Sequence, residues 1–175
     1  MFSDPSHNID QLDLQSGMSV ADFGTGSGFY AFSAAKAVGD KGKVYAIDVQ
    51  KELLEKLKRE ATARKIHNLQ VIWGNLEKLG GSKLRDEAVD AAVVANVLFQ
   101  IEHKQEFIAE VRRVLKPKGR LLLVDWKSSF GGLGPTALHI ISEPVGRRLF
   151  ESSGFSFERS VNAGVHHWGA VMRKM

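Results

Sequence analysis

An apolar run from Met18 to Phe23 breaks into glycines at alternate positions, Gly24, Gly26 and Gly28, before apolar residues resume from Phe29 to Val38. A buried strand, a tight turn and a helix account for this pattern. Glycine reaches backbone angles that other residues avoid and leaves no side chain between the turn and a ligand. A flat nucleoside or a polar tail can therefore lie on bare main chain, facing the first amides of the helix. The spacing also narrows the ligand. A dinucleotide turn wants Gly-x-Gly-x-x-Gly, whereas here the third glycine comes one residue early and Phe29 stands where a small residue is needed. Asp22 beside the turn would repel a pyrophosphate and suit a ligand that carries positive charge.

The rest of the chain continues the alternation of strand and helix. Lys43 to Asp48 reads as a second strand that ends on a carboxylate. Asp48 follows Gly28 by about twenty residues, the spacing at which an acidic side chain at a strand tip accepts the two hydroxyls of a ribose. Asp48 would equally serve as a cap for the next helix. Leu53, Leu54, Leu57 and Ala61 recur at helical spacing between Lys51 and Ile66, with charged residues on the other face. Leu69 to Trp73 makes a third strand. Val89 to Val97 is nearly all apolar and fits a central parallel strand covered on both faces. A helix carrying Phe107, Ile108, Val111, Val114 and Leu115 stops at Lys116-Pro117-Lys118-Gly119, and Arg120 to Trp126 forms the next strand. Residues 127–141 are too glycine-rich for a helix and leave the sheet at the ligand edge, which makes them a candidate substrate loop or a plain connection. A helix from Ser142 to about Ser153 and two strands, Phe155 to Val161 and His166 to Arg173, complete an α/β chain. Residues 1–17 are a thin polar arm with room for one short helix.

Composition removes several alternatives. At 175 residues the length suits one domain, 1–175. The absence of cysteine excludes disulfides, thiolate metal sites and cysteine nucleophiles. Net charge is +4, scattered over helix faces with no basic tract and interleaved aromatics, so nucleic acid is not an expected partner. No run has the length to span a bilayer and the first residues carry no targeting pattern, so the expected compartment is the cytoplasm.

Asp22-Phe23-Gly24-Thr25-Gly26-Ser27-Gly28 resembles the first motif of the class I methyltransferases that use S-adenosylmethionine, a ligand with a sulfonium and an ammonium and no phosphate. The order of helix, Leu115-Lys116-Pro117-Lys118-Gly119-Arg120-Leu121 and strand is similar to the small-molecule branch of that family, which includes the quinone enzymes. The likeness runs from Met18 to Arg173. It implies a Rossmann-like three-layer sandwich whose mostly parallel seven-stranded sheet ends in an antiparallel hairpin strand. It also implies that Asp22, Gly24, Thr25, Gly26, Gly28, Asp48, Val49, Asn75, Leu76 and Asn96 hold the cofactor. Asn75 stands where the family often carries an acid for the adenine amino group, and its amide oxygen can still accept that bond. The transferred methyl would lie near Asn96-Val97-Leu98-Phe99-Gln100, which lacks the Asn/Asp-Pro-Pro-aromatic signature of amide and exocyclic-amine methylation.

Methyl transfer from a sulfonium needs alignment and exclusion of water, and needs a general base only if the acceptor must lose a proton. Asp125, His139, His166 and His167 are the base candidates at the ligand edge, and Phe99 and Trp126 the candidates for an acceptor wall. His166 and His167 are adjacent in a strand and point to opposite faces, so they make no metal pair, and no metal is expected. The expected reaction is transfer to a small-molecule acceptor, with S-adenosylhomocysteine as product. The alternatives are a protein side chain at an open site, a nucleoside-binding module without turnover, and, most distant, a nicotinamide dehydrogenase. The glycine loop or a second subunit in a homodimer would close the pocket.

Overall fold

The computed structural model describes residues 3–175, so the first two positions of the expected arm lie outside the described residues. The elements run α1 (Pro5–Asp10), β1 (Ser19–Phe23), α2 (Phe29–Val38), β2 (Lys43–Asp48), α3 (Lys51–Ala63), β3 (Leu69–Trp73), β4 (Val89–Ala95), α4 (Lys104–Val114), β5 (Leu115–Trp126), α5 (Glu143–Glu151), β6 (Phe155–Val161) and β7 (His167–Lys174). They form one seven-stranded sheet in the order β3-β2-β1-β4-β5-β7-β6. The first five strands are parallel, and β7 runs antiparallel between β5 and β6. This is the expected sandwich, with the final strand inserted into the sheet.

Alternation along the strands divides the apolar side chains between two layers. Val20, Leu122 and Val124 pack with Ala31, Ala35 and Leu57 of α2 and α3, and with Ile9 and Leu12 of the arm. Ala21, Phe23, Leu121 and Leu123 pack with Phe107, Val111 and Phe150 of α4 and α5 on the other face. Helix α3 has its charged residues outward, which is why the wheel of Leu54, Leu57 and Ala61 sufficed to find it. Among the described residues no helix is long and apolar enough to cross a membrane.

Most boundaries move by one to three residues: α3 ends at Ala63, β4 at Ala95, and β7 runs from His167 to Lys174; the start of β5 differs most. Strand β5 begins at Leu115, directly after α4, and includes the Lys116–Gly119 segment that carries the helix-stop signals. Val89 pairs with Leu115 and Ala91 with Arg120, so the extra residues are absorbed as a bulge in which Lys118 takes φ 63°. Lys116 Nζ donates to Asp90 Oδ1 at 2.6 Å and ties the bulge to β4.

The arm is anchored at both ends. Asp4 caps α1 by accepting from the Ser6 and His7 amides, with Pro5 at the first helical position. Asn8 Nδ2 donates to the Tyr30 hydroxyl at 2.7 Å, a buried bond that joins α1 to α2. Gln11 exchanges two bonds with Asn162 in the β6–β7 turn.

Candidate functional site

The carboxyl ends of β1, β2 and β4 open on a cavity of about 720 Å³. Its floor is the glycine turn. The Gly24 and Thr25 amides donate to the Ile47 carbonyl at 2.9 and 3.0 Å, and the Gly28 amide donates to the Thr25 carbonyl at 2.8 Å. All three glycines have positive φ, and each has its own reason to lack a side chain. A Cβ on Gly24 would lie 2.6 Å from Val97 Cγ2, and one on Gly28 would run into Leu57. Gly26 faces open space, so there the bare backbone is presented to the cavity.

Two carboxylates flank this turn. Asp22 is buried beneath it and accepts from Thr25 Oγ1 at 2.7 Å. Burial pushes its carboxyl up to about 7; the Thr25 hydroxyl pulls the other way and the charge of Asp48 adds to the rise. Asp48 ends β2 and lines the cavity, where its Oδ2 accepts from the Gly26 amide and its Oδ1 from the Gln50 amide, each at 2.9 Å. Those two bonds leave acceptor positions on both oxygens. Asp48 therefore braces the turn and the entry to α3, and still offers a carboxylate edge to a ligand.

Val49, Asn75 and Leu76 continue the wall from the ends of β2 and β3. Asn75 Oδ1 accepts from the Glu77 amide at 3.0 Å, a turn bond that leaves one lone pair. Asn96 follows β4 at φ 58°, a left-handed conformation uncommon outside glycine. Its carbonyl accepts from Gln100 Nε2, and its buried Oδ1 has no hydrogen-bond partner among the described residues. Of the ten expected cofactor residues, Gly24, Thr25, Gly26, Asp48, Val49, Asn75, Leu76 and Asn96 line the cavity, while Asp22 and Gly28 support it from behind.

The far wall is Trp126 at the end of β5 and His167 at the start of β7, paired across the two antiparallel strands with ring centroids 4.3 Å apart. Burial and the neighbouring His166 lower the His167 imidazole, which favours its neutral form. The other expected base candidates lie elsewhere. Asp125 is buried behind the wall, its Oδ1 accepts from the Trp126 amide, and burial pushes it up to about 6 against the pull of the Trp126, Leu98 and Phe99 amides. His166 faces Ser128 and the Phe130 ring, and His139 is exposed and paired with Thr136. Phe99 is not among the lining residues.

Sequence reasoning left out the roof. Ser3 and Pro5 of the arm line the cavity together with Tyr30. Asp4-Pro5 signals a helix start, but nothing local says where that helix docks; the Asn8–Tyr30 bond decides it. Loop 127–141 contributes no lining residue among those described, and it backs the wall from outside, where Gly134 fits against the Trp126 ring. The lining includes the carboxylates Asp48 and Glu77 and, among the described residues, neither lysine nor arginine.

Comparison with known proteins agrees with this geometry. Residues 14–140 match a family model described as a methyltransferase domain. An S-adenosylmethionine-dependent methyltransferase structure from Aquifex aeolicus superposes with a TM-score of 0.90 at 32% identity, covering 99% of this chain and 91% of that one. Among curated proteins, a ubiquinone/menaquinone biosynthesis C-methyltransferase of Paraburkholderia phytofirmans is 32% identical over 67% of this chain and 47% of its own length. An arsenite methyltransferase of Halobacterium salinarum is 30% identical over 62% of this chain and 27% of its own. The chain thus spans about half the length, or less, of the curated relatives it matches.

Proposed function

The chain belongs to the class I S-adenosylmethionine-dependent methyltransferases, and from that premise we propose that it transfers a methyl group to a small-molecule acceptor. The observation that carries its cofactor part is the charge of the cavity: carboxylates at Asp48 and Glu77, Asp22 beneath the floor, and no basic lining residue among those described. Such a site suits a sulfonium and an ammonium and is wrong for a pyrophosphate. Gly26 presents bare main chain to the cavity, where Asp48 would offer its free acceptor positions to the ribose hydroxyls and Val49, Leu76 and Asn75 would hold the base. Asn96, which lines the cavity with its buried Oδ1, would hold the polar tail of the cofactor.

S-adenosylmethionine held over Gly26 and Asp48 would supply an activated methyl group on a sulfonium, with S-adenosylhomocysteine as the product. The residues of the chain position and shelter. Trp126 and His167 form the wall against which an acceptor would lie, and a neutral His167 can take a proton if the acceptor must lose one. Ser3 and Pro5 narrow access from above, which supports a small acceptor over a protein side chain. The chain then acts as one cofactor-binding domain, with Ser3 and Pro5 of the arm as its cover and 127–141 as an outer support of the acceptor wall.

Calorimetric titration with S-adenosylmethionine, S-adenosylhomocysteine and NAD tests the cofactor assignment, with Asp48→Asn alongside. The first two bind and NAD does not, and the variant loses affinity. Binding of NAD alone would overturn it. Labelled methyl incorporation into small-molecule, protein and RNA fractions of an extract then reads the acceptor class, and label confined to protein would replace the small-molecule reading.

A further inference from the structure

The roof of the cavity holds one hydroxyl hydrogen more than its neighbours can accept. Asn8 Nδ2 donates to the Tyr30 hydroxyl at 2.7 Å and to Ser3 Oγ at 2.9 Å, so both of its hydrogens are spent and both hydroxyl oxygens are accepting. The two hydroxyls lie 3.3 Å apart, close enough for one to donate to the other. That contact uses one hydroxyl hydrogen and leaves the second without an acceptor among the described residues. Ser3 and Tyr30 both line the cavity, so the cavity is where that hydrogen can go. Tyr30 is only 8% exposed, and burial raises its phenol above the ordinary value, which keeps the group a donor at neutral pH.

Tyr30 also stands at a helix end that favours an anion. It lies in the first turn of α2, whose N-cap is Gly28, with no side-chain cap and no acidic residue in that turn. The Phe29 and Tyr30 amides have no acceptor among the described residues. The glycine turn sets this helix end close to Asn96: Gly24 is packed against Val97, the next residue, and Gly28 directly precedes α2. The tail of S-adenosylmethionine carries a carboxylate beside its ammonium, and the described lining offers that carboxylate no lysine or arginine. A neutral donor at an electropositive helix end is what the cavity has for it.

We infer that the Tyr30 hydroxyl takes the carboxylate of the cofactor's amino-acid tail, as a neutral donor in the place of a basic residue. This assignment rests on the cofactor reading above. It divides the roof in two: Tyr30, on α2, would select the tail of the cofactor, whereas Ser3 and Pro5 of the arm would close over the acceptor.

Calorimetric titration of the full chain tests it with three ligands that share one nucleoside: S-adenosylhomocysteine, its decarboxylated form, which keeps the ammonium, and methylthioadenosine, which has no tail. The native chain binds the first about tenfold or more tighter than the second. Tyr30→Phe keeps the ring and removes the hydroxyl; it weakens the first by about tenfold and leaves the other two within about twofold. Asn8→Leu keeps the preference for the first ligand, because Tyr30 retains its hydrogen. The double change Asn8→Leu with Tyr30→Phe, which removes both members of the buried bond, repeats the loss seen in Tyr30→Phe. Binding of none of the three would remove the cofactor reading and this inference with it. With S-adenosylhomocysteine bound, equal affinity for the first two ligands, or an equal loss of all three in Tyr30→Phe, would overturn the inference alone. So would unchanged affinity in Tyr30→Phe, since the hydrogen of Tyr30 is then spent on Ser3.

Discussion

Around Gly26 the cavity wall is main chain held by main chain, whereas around Trp126 it is assembled from side chains that arrive from distant parts of the sequence. The turn after β1 is fixed by amide bonds to Ile47 and by the Asp48 carboxylate, and each glycine is required by its φ or its neighbour. The opposite wall needs β5, the inserted strand β7 and the arm before it exists at all. A ligand whose chemistry never changes can be met by a rigid, locally encoded surface, while an acceptor that varies among relatives can be met by side chains on separate elements. The two regions should therefore fail differently when mutated.

Gly24→Val is the harshest test of the first region. It forces a β-branched residue to φ 78° and drives its side chain into Val97. A stability loss of about 3 kcal/mol or more is expected in urea unfolding. A loss below about 1 kcal/mol would show that the turn relaxes easily and would erase the contrast between the two walls.

Asp48→Ala and Trp126→Ala separate the regions by function. The first removes the carboxylate proposed to meet two ribose hydroxyls and also releases the Gly26 and Gln50 amides, so cofactor affinity should drop about 100-fold. The second should leave cofactor affinity within about threefold while kcat/KM for the acceptor falls about tenfold or more. If both variants lose cofactor equally, the cavity is one cooperative unit and not two walls.

The same division explains what could be read from the sequence. β2, α2 and β3 were placed to the residue because strand alternation, the glycine turn and the charged face of α3 are local signals. The start of β5 was not, since Lys116–Gly119 carries a proline and a glycine that stop a helix, and only pairing with β4 shows that these residues stay in the sheet as a bulge. Phe99 and His139 were expected near the ligand because they follow strand ends. Phe99 lies in a single turn of 3-10 helix, Leu98–Gln100, and His139 in a turn closed by Thr136, so for neither does the position of a preceding strand end fix the side chain. Strand alternation argues against a metal pair at His166 and His167 but leaves both as base candidates; β7 begins at His167, and of the two only His167 reaches the cavity.

The arm should be the softer part of the second region. Asn8→Leu removes the buried bond to Tyr30 and leaves that hydroxyl without its Asn8 donor, at a cost of about 1–2 kcal/mol in thermal or urea unfolding. Because Ser3 and Pro5 form part of the roof, KM for the acceptor should rise more than cofactor Kd. An unchanged KM would mean that the arm covers the cofactor alone.

The smallest expected effect comes from Asp22, the one carboxylate that belongs to the rigid wall without touching the cavity. Burial raises it to about 7 in the folded chain, against an ordinary value of 3.8. Between these values the folded chain holds a proton that the unfolded chain has released, so its contribution to stability declines as pH rises from about 4 to about 7. Asp22→Asn should flatten that part of the pH–stability curve. A cationic ligand above the turn favours the ionised carboxylate. Cofactor affinity should therefore increase between about pH 6 and pH 8, by up to about tenfold relative to Asp22→Asn measured in parallel. Comparison with the variant cancels any titration of the ligand itself. If the two pH profiles coincide, Asp22 only braces Thr25, and the charge that selects a cationic ligand resides in Asp48 and Glu77 at the cavity surface.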